Sequence, residues 1–148
     1  MPDDLKTQAA RALALDYAAH YIGRPYRWGG DDPMLGFDCS GFVIEILQAV
    51  GLLPATFDTT ADGLFRMFRR HEISAPAAGA LVFWFSSKKA VHVEMMLDLF
   101  HTIGASGGGS ATISLDAAAA HNAFIKIRPI GYRGANYKIV DPFAGGIA

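Results

Sequence analysis

The stretch Phe37-Asp38-Cys39-Ser40-Gly41-Phe42 holds the only cysteine of the chain and stands where a polar loop gives way to an apolar segment. Asp38 is a favoured residue type for a helix N-cap. Apolar residues then recur at helical spacing and stop before Gly51, which predicts a helix that begins at Cys39. These apolar residues are Phe42, Val43, Ile46, Leu47 and Val50. In the first turn the partly positive helix end favours a thiolate. Cys39 is therefore a candidate nucleophile, since a structural cysteine is more typical of the apolar stripe itself.

Length and composition bound the class of protein. The 148 residues suit one domain, so we expect a single catalytic domain over residues 1–148. Hydrophobic residues make up 51% and charged residues 18%, which indicates a globular chain with a real core. A net charge of -1 lacks the basic footprint of nucleic-acid binders and polybasic membrane anchors. One cysteine forms no internal disulfide and leaves the redox compartment open.

The N-terminal residues Met1-Pro2-Asp3-Asp4 are polar and acidic, unlike the basic and apolar start of a secretory signal. No apolar run reaches membrane-spanning length, so we expect no membrane insertion. A chain of this kind that acts outside the cytoplasm would be phage-encoded, delivered by a secretion machine or trimmed from a longer precursor.

Helical periodicity comes first in the chain and strand-like segments come later. The spacing predicts a helix over residues 3–22 and another over 60–70 beside the one at Cys39. Short apolar segments separated by turn residues then predict antiparallel strands, with a short helix near 115–122 before the last two: 81–85, 91–97, 102–105, 124–130 and 137–140. This order indicates an α+β domain in which a helical layer packs on one meandering sheet.

A cysteine nucleophile needs a base within hydrogen-bond reach. His92 is the best placed histidine because it interrupts a strand otherwise built of apolar residues. A satisfied core histidine is the structural alternative. Side chains alternate across a strand, so Glu94 lies on the same face and could orient the imidazole, or else face solvent at a sheet edge.

Taken together, four motifs resemble the NlpC-type cysteine peptidases of the bacterial cell wall, which have a compact papain-like fold. An aromatic-Gly-Gly loop precedes the Asp-Cys-Ser-Gly helix start, and a strand that opens with a glycine precedes the strand of the base, although Ala80 stands where the family usually has an acid. The resemblance covers about residues 23–109 and is carried by these segments: Tyr26-Arg27-Trp28-Gly29-Gly30, Phe37 to Val43, Gly79 to Trp84, and His92-Val93-Glu94-Met95.

The resemblance implies a cofactor-free hydrolysis of amide bonds in peptidoglycan stem peptides, next to γ-D-glutamate and a diamino acid. Cys39 would be the nucleophile and His92 the base, with the backbone N–H of Cys39 at the oxyanion. The hydroxyl of Tyr26 would lie near the nucleophile. Trp28 and the flanking residues Asp38 and Ser40 would line the substrate or the oxyanion.

The sequence departs from the family at the residue that orients the base. The usual polar residue on the strand after the base falls on Gly104, which has no side chain. Glu94 occupies a position that is usually small and is the first candidate orienter. His101 is the alternative if the hairpin register slips, and a backbone carbonyl or a water is a third possibility.

Two other site types are not favoured. The glycine run of residues 104–110 lacks the lysine of a phosphate-binding loop, which argues against nucleotide binding; it suits a cleft wall or a simple turn. Cys39, His92, Glu94 and His101 have no paired ligand spacing, so we predict no metal site.

The Gly104 departure leaves two alternative functions open. One is a catalytically inactive module that binds cell-wall peptides, and the other is an amidase or acyltransferase that uses the same Cys39 and His92 on another acyl donor.

Overall fold

A computed structural model of the protein describes residues 3–24, 31–32, 36–106 and 124–147. Helices precede most of the strands, as the periodicity predicts. The described helices are α1 (Leu5–Ala19), α2 (Cys39–Ala49) and α3 (Ala61–Phe68), the last continued by a 3-10 turn over Arg69–His71. The predicted helix near residues 115–122 lies outside the described residues.

Each of the three α-helices begins after a side-chain cap. Asp4, Asp38 and Thr60 accept a hydrogen bond from the backbone N–H three residues further on, at 2.7, 2.6 and 3.1 Å. Such caps satisfy a donor that the first helical turn leaves unpaired. The predicted N-cap at Asp38 is confirmed, and α2 begins at the cysteine.

The described strands form a six-stranded antiparallel sheet in the order β3-β8-β4-β5-β6-β7 and a separate short pair, β1-β2. Four strands meander in sequence order, as predicted. The last strand instead returns across the sheet and pairs with β4, so the sheet is not a simple meander. The strands are β1 (Asp31–Asp32), β2 (Gly36–Phe37), β3 (Glu72–Ile73), β4 (Leu81–Ser86), β5 (Lys89–Met96), β6 (His101–Ser106), β7 (Phe124–Pro129) and β8 (Tyr137–Val140).

The two faces of the sheet bury different clusters. Val93 and Met95 of β5 join the main core beneath the helices. Residues in between face the other way, since strand side chains alternate. The β4–β5 register places His92 opposite Trp84 and Glu94 opposite Val82, on the face that carries the smaller cluster.

Strands β5 and β6 are paired only near their connecting turn. Among the described residues of the two strands, the ladder holds the pairs Met95–Ile103 and Met96–Thr102. The described pairs of this ladder do not reach His92. Helix α2 packs on both strands.

The Arg11 side chain joins α1 to the end of β8. Its guanidinium donates to both carboxylate oxygens of Asp141 at 3.0 and 3.1 Å, to Asp3 at 2.9 Å and to the carbonyl of Ala78 at 3.2 Å. It also lies 4.8 Å from the ring centre of Phe143. The first helix is thereby tied to the last strand.

No helix within the described ranges is long and apolar enough to cross a bilayer.

We expect Arg11→Ala to lower the free energy of unfolding by about 1–3 kcal/mol, because it leaves the largely buried Asp141 without its charged donor. Arg66→Ala is the matched control. Arg66 also pairs with an aspartate, but its side chain is 74% exposed, so the expected loss is below about 0.5 kcal/mol. Urea unfolding of both variants measures the difference, and equal losses would contradict the role given to Arg11.

Candidate active site

Cys39 is the first residue of α2, and its thiol is free and half-buried. The capping carboxylate of Asp38 accepts the backbone N–H of Gly41 at 2.6 Å and the hydroxyl of Ser40 at 3.3 Å. Asp38 and Ser40 are thus engaged in building the helix start that holds the thiol. Their predicted role at the substrate or the oxyanion stays a prediction.

His92 lies 5% exposed on β5 and meets both neighbours that the sequence suggested. Cys39 is one of the two groups that raise the pKa of His92 through hydrogen bonding and charge. Nε2 of His92 lies 2.6 Å from Oε2 of Glu94. Because Nε2 is taken by the carboxylate, Nδ1 is the ring atom that remains for the thiol.

Glu94 is fully buried and surrounded by donors. Thr102 donates its hydroxyl to Oε1 at 2.7 Å, and Tyr132 donates its hydroxyl to Oε2, the same oxygen that His92 contacts. An ionised carboxylate only accepts hydrogen bonds and has room for all three. These bonds offset the cost of removing the charge from water.

Burial and hydrogen bonding shift the pKa of His92 in opposite directions. Burial of the ring lowers the pKa of His92, whereas hydrogen bonds and charge interactions with Cys39 and Glu94 raise it, and together they prevail. The imidazolium form is therefore favoured. A histidine in this state suits a thiolate–imidazolium pair.

Gly104 explains how the glutamate fits. A Cβ built at Gly104 would lie 2.3 Å from Cγ and 2.8 Å from Cδ of Glu94. The Glu94 side chain fills the space that a side chain on β6 would occupy. The absence of a side chain at Gly104 and the presence of Glu94 are therefore sterically linked.

His101 lies away from the base. It is 49% exposed at the side chain and bonds through Nδ1 to both carboxylate oxygens of Asp98 at 3.0 Å. Its partner across the sheet is Pro129, at the far end of β6 from Ser106. The structure brings Glu94 to His92 and does not bring His101 there.

Two of the residues around the base were missed by the sequence reasoning, namely Thr102 and Tyr132. Thr102 could have been found, because alternation along β6 puts it on the face of Gly104. No sequence pattern predicts the contact of Tyr132 with Glu94, because Tyr132 lies 38 residues away in a 3-10 turn over Ile130–Arg133. Tyr26, Trp28 and the glycine run after Ser106 lie outside the described residues, so their predicted roles stay predictions.

The sequence profile of the NlpC/P60 family matches residues 23–128, a span that contains Cys39, His92 and Glu94. The chain belongs to that family. Within the described ranges, no three or more His, Cys, Asp or Glu side chains are grouped so that they could hold a metal ion.

Relatives and solved structures agree with the NlpC/P60 assignment. The chain is 53% identical over 62 residues to the murein DD-endopeptidase MepH of Escherichia coli strain K12. The matched segment makes up 42% of this chain and 22% of that protein. It is 35% identical over 79 residues to the bifunctional muramidase/DL-endopeptidase CwlT of Bacillus subtilis strain 168, which covers 51% of this chain and 23% of that protein. The chain thus spans less than a quarter of either relative.

Among solved structures, the NlpC/P60 domain of the peptidoglycan hydrolase SagA superimposes with a TM-score of 0.65 at 26% identity, over 87% of this chain and 97% of that one. The α+β, papain-like fold predicted from the motifs is confirmed, as is the family resemblance.

We expect Glu94→Gln to lower the pKa of His92, because it removes one of the two groups that raise it while the ring stays buried. NMR titration of the ring measures the change. Glu45→Gln is the matched control: Glu45 accepts the hydroxyl of Tyr17 on the helical side and should leave the His92 titration unchanged.

The same substitution changes the pH dependence of stability. Because folding raises the pKa of His92, its protonated form stabilises the fold below the unfolded value of about 6.5, and this contribution is lost as the pH rises through the folded value. The stability of Glu94→Gln should therefore depend less on pH across that window. An unchanged titration and an unchanged pH dependence would contradict the coupling of His92 to Glu94.

We expect Gly104→Ala to displace the Glu94 side chain, with a loss of about 1–3 kcal/mol in unfolding free energy and a lower pKa of His92. Gly145→Ala is the control, because a Cβ there meets Nε2 of His71 at an ordinary 3.6 Å. Chemical unfolding and NMR titration report the two effects. A Gly104→Ala protein as stable as the Gly145→Ala protein would contradict the close approach at Gly104.

Proposed function

We propose that the protein is a cysteine endopeptidase that hydrolyses amide bonds in the stem peptides of peptidoglycan. The observation that carries the proposal is the contiguous arrangement of Cys39, His92 and Glu94. The thiol at a helix N-terminus interacts with the imidazole of His92, whose Nε2 lies 2.6 Å from a buried carboxylate. This nucleophile, base and orienter arrangement recurs in acyl-transfer enzymes on unrelated folds.

In acylation, His92 accepts the thiol proton at Nδ1 and the Cys39 thiolate attacks the carbonyl carbon of the scissile amide. Glu94 keeps Nε2 protonated and directed away from the thiol, and its charge stabilises the imidazolium. The backbone N–H of Cys39, aided by a second donor, holds the oxyanion. The C–N bond then breaks as the imidazolium returns the proton to the leaving amine.

In deacylation, a water molecule replaces the amine. His92 takes a proton from the water as its oxygen attacks the thioester carbon. Collapse of the second tetrahedral intermediate breaks the C–S bond, and His92 returns the proton to the thiolate. The carboxylate product leaves and Cys39 is regenerated.

The substrate class is supported by the relatives, whose names describe endopeptidases acting on murein and on a DL bond. Those names concern proteins more than four times as long as the matched segment. For this chain we propose the bond next to γ-D-glutamate and a diamino acid, with Tyr26 and Trp28 on the loop before the nucleophile contacting the stem peptide.

We expect Cys39→Ala to lower the turnover of purified peptidoglycan by at least about 1000-fold, because no other group can form the acyl-enzyme. Mass analysis of the digest should show stem peptides shortened at the proposed bond with the parent protein and none with the variant. Thermal unfolding should be unchanged, which separates loss of the nucleophile from loss of the fold.

His101→Ala is the control on the alternative orienter, and its turnover should stay within about twofold of the parent because His101 is exposed and bonded to Asp98. Equal cleavage by the parent and Cys39→Ala would overturn the proposal. Stem-peptide binding without turnover by the parent would instead indicate an inactive binding module, and products other than shortened stem peptides an amidase or acyltransferase.

A further inference from the structure

Tyr132 contacts the buried carboxylate of Glu94 from the 3-10 turn after β7, and so from outside β5 and β6. Its hydroxyl donates to Oε2 of Glu94, the oxygen that also lies 2.6 Å from Nε2 of His92. Two donors therefore share one oxygen, while Thr102 holds the other. Any change in the hydrogen bond from Tyr132 therefore alters the negative charge on the Glu94 oxygen that lies beside Nε2 of His92.

The fold fixes this phenol in place. The Tyr132 ring packs edge-on against Trp84 at 5.9 Å and 67°, and the Arg128 guanidinium carbon lies 5.8 Å from its centre. Both ends of its turn are anchored: the N–H of Ile130 donates to the carbonyl of Phe100 at 2.9 Å, and Trp84 donates to the carbonyl of Gly134 at 3.2 Å.

The phenol remains a hydrogen-bond donor over the working pH range. Burial raises the pKa of Tyr132, and the charge of Glu94 and the hydrogen bond to it raise the pKa further, against smaller opposing effects of Ser106 and Arg133. A neutral phenol donates its proton to the carboxylate and cannot accept one from it. The contact therefore has one direction.

We propose that Tyr132 is a positioning residue for His92: it acts through Glu94 by holding the carboxylate and by sharing the charge of the oxygen that faces the imidazole. A hydrogen bond to a carboxylate spreads its charge and weakens its pull on a neighbouring cation. Without the hydroxyl, the full charge of Oε2 faces His92. The imidazolium then gives up its proton less readily to the leaving amine.

The titratable and charged groups around this contact and around His92 come from four elements. His92 and Glu94 itself are on β5, and Cys39 at the start of α2 acts on His92. Arg128 on β7 faces the Tyr132 ring, and Arg133 follows Tyr132 in the turn. Tyr132→Phe removes none of these charges and keeps the ring. The substitution therefore isolates the hydroxyl.

Tyr137 offers a matched control. It also packs edge-on against Trp84, at 6.0 Å and 63°, and among the described residues its hydroxyl is not one of the donors to Glu94. Tyr137→Phe therefore reproduces the loss of a hydroxyl beside Trp84 without touching the carboxylate.

The test measures the His92 titration by NMR and the kinetics of peptidoglycan cleavage in the parent, Tyr132→Phe and Tyr137→Phe. For Tyr132→Phe we expect the pKa of His92 to rise by about half a unit and the basic limb of kcat/KM to move with it. We expect kcat to fall about 3- to 10-fold with KM within twofold, since one hydrogen bond to a charged group is lost. Tyr137→Phe should match the parent in all of these.

A second comparison uses Glu94→Gln as the background. In that background Tyr132→Phe should produce no further change in the His92 titration, because Tyr132 acts on His92 through the Glu94 carboxylate, which is already absent. An independent effect of Tyr132→Phe in that background would contradict action through Glu94.

Other outcomes also decide the matter. An unmoved His92 titration in Tyr132→Phe overturns the proposal, and so does a fall in the pKa, which would mean that the carboxylate has moved away from the ring. The kinetic part rests on the proposed function, whereas the titration does not. A parent protein that fails to cleave peptidoglycan, with the titration shift intact, would refute the proposed function and leave the role of Tyr132 standing.

Discussion

A buried carboxylate with three donors is the constraint on which the rest of the site depends. A charge at the position of Glu94, with no exposure to water, is tolerable only if its oxygens are occupied. His92, Thr102 and Tyr132 supply the donors from three separate elements. The absent side chain at Gly104 supplies the room. Together these contacts hold the Glu94 side chain beside the His92 ring.

The thiol and the His92 ring come from different sides of the sheet. Cys39 packs against the main core from the helical side, whereas His92 belongs to the opposite face of the sheet. Among the described residues of β5 and β6, the ladder holds two pairs next to their turn.

Local chemistry made much of this predictable. The capping preference of Asp38 and the apolar period behind it placed the start of α2 correctly, and alternation along β5 put Glu94 beside His92. The choice between Glu94 and His101 could not be made from the sequence, because it depends on the pairing of β5 with β6. Tyr132 and the return of β8 depend on contacts between distant segments, for which a single sequence carries no local signal.

The pairing of β8 with β4 determines when the sheet can be completed during synthesis. Strand β4 lies inside the sheet only because β8, more than fifty residues later in the chain, pairs along its outer side. During synthesis β4 is therefore an open edge until residues 137–140 have left the ribosome. Pairings between distant segments also form slowly, because a long loop must close first. The turn that carries Tyr132 lies just before β8, so the donor to Glu94 and the strand that covers the edge of β4 are synthesised together, long after Cys39.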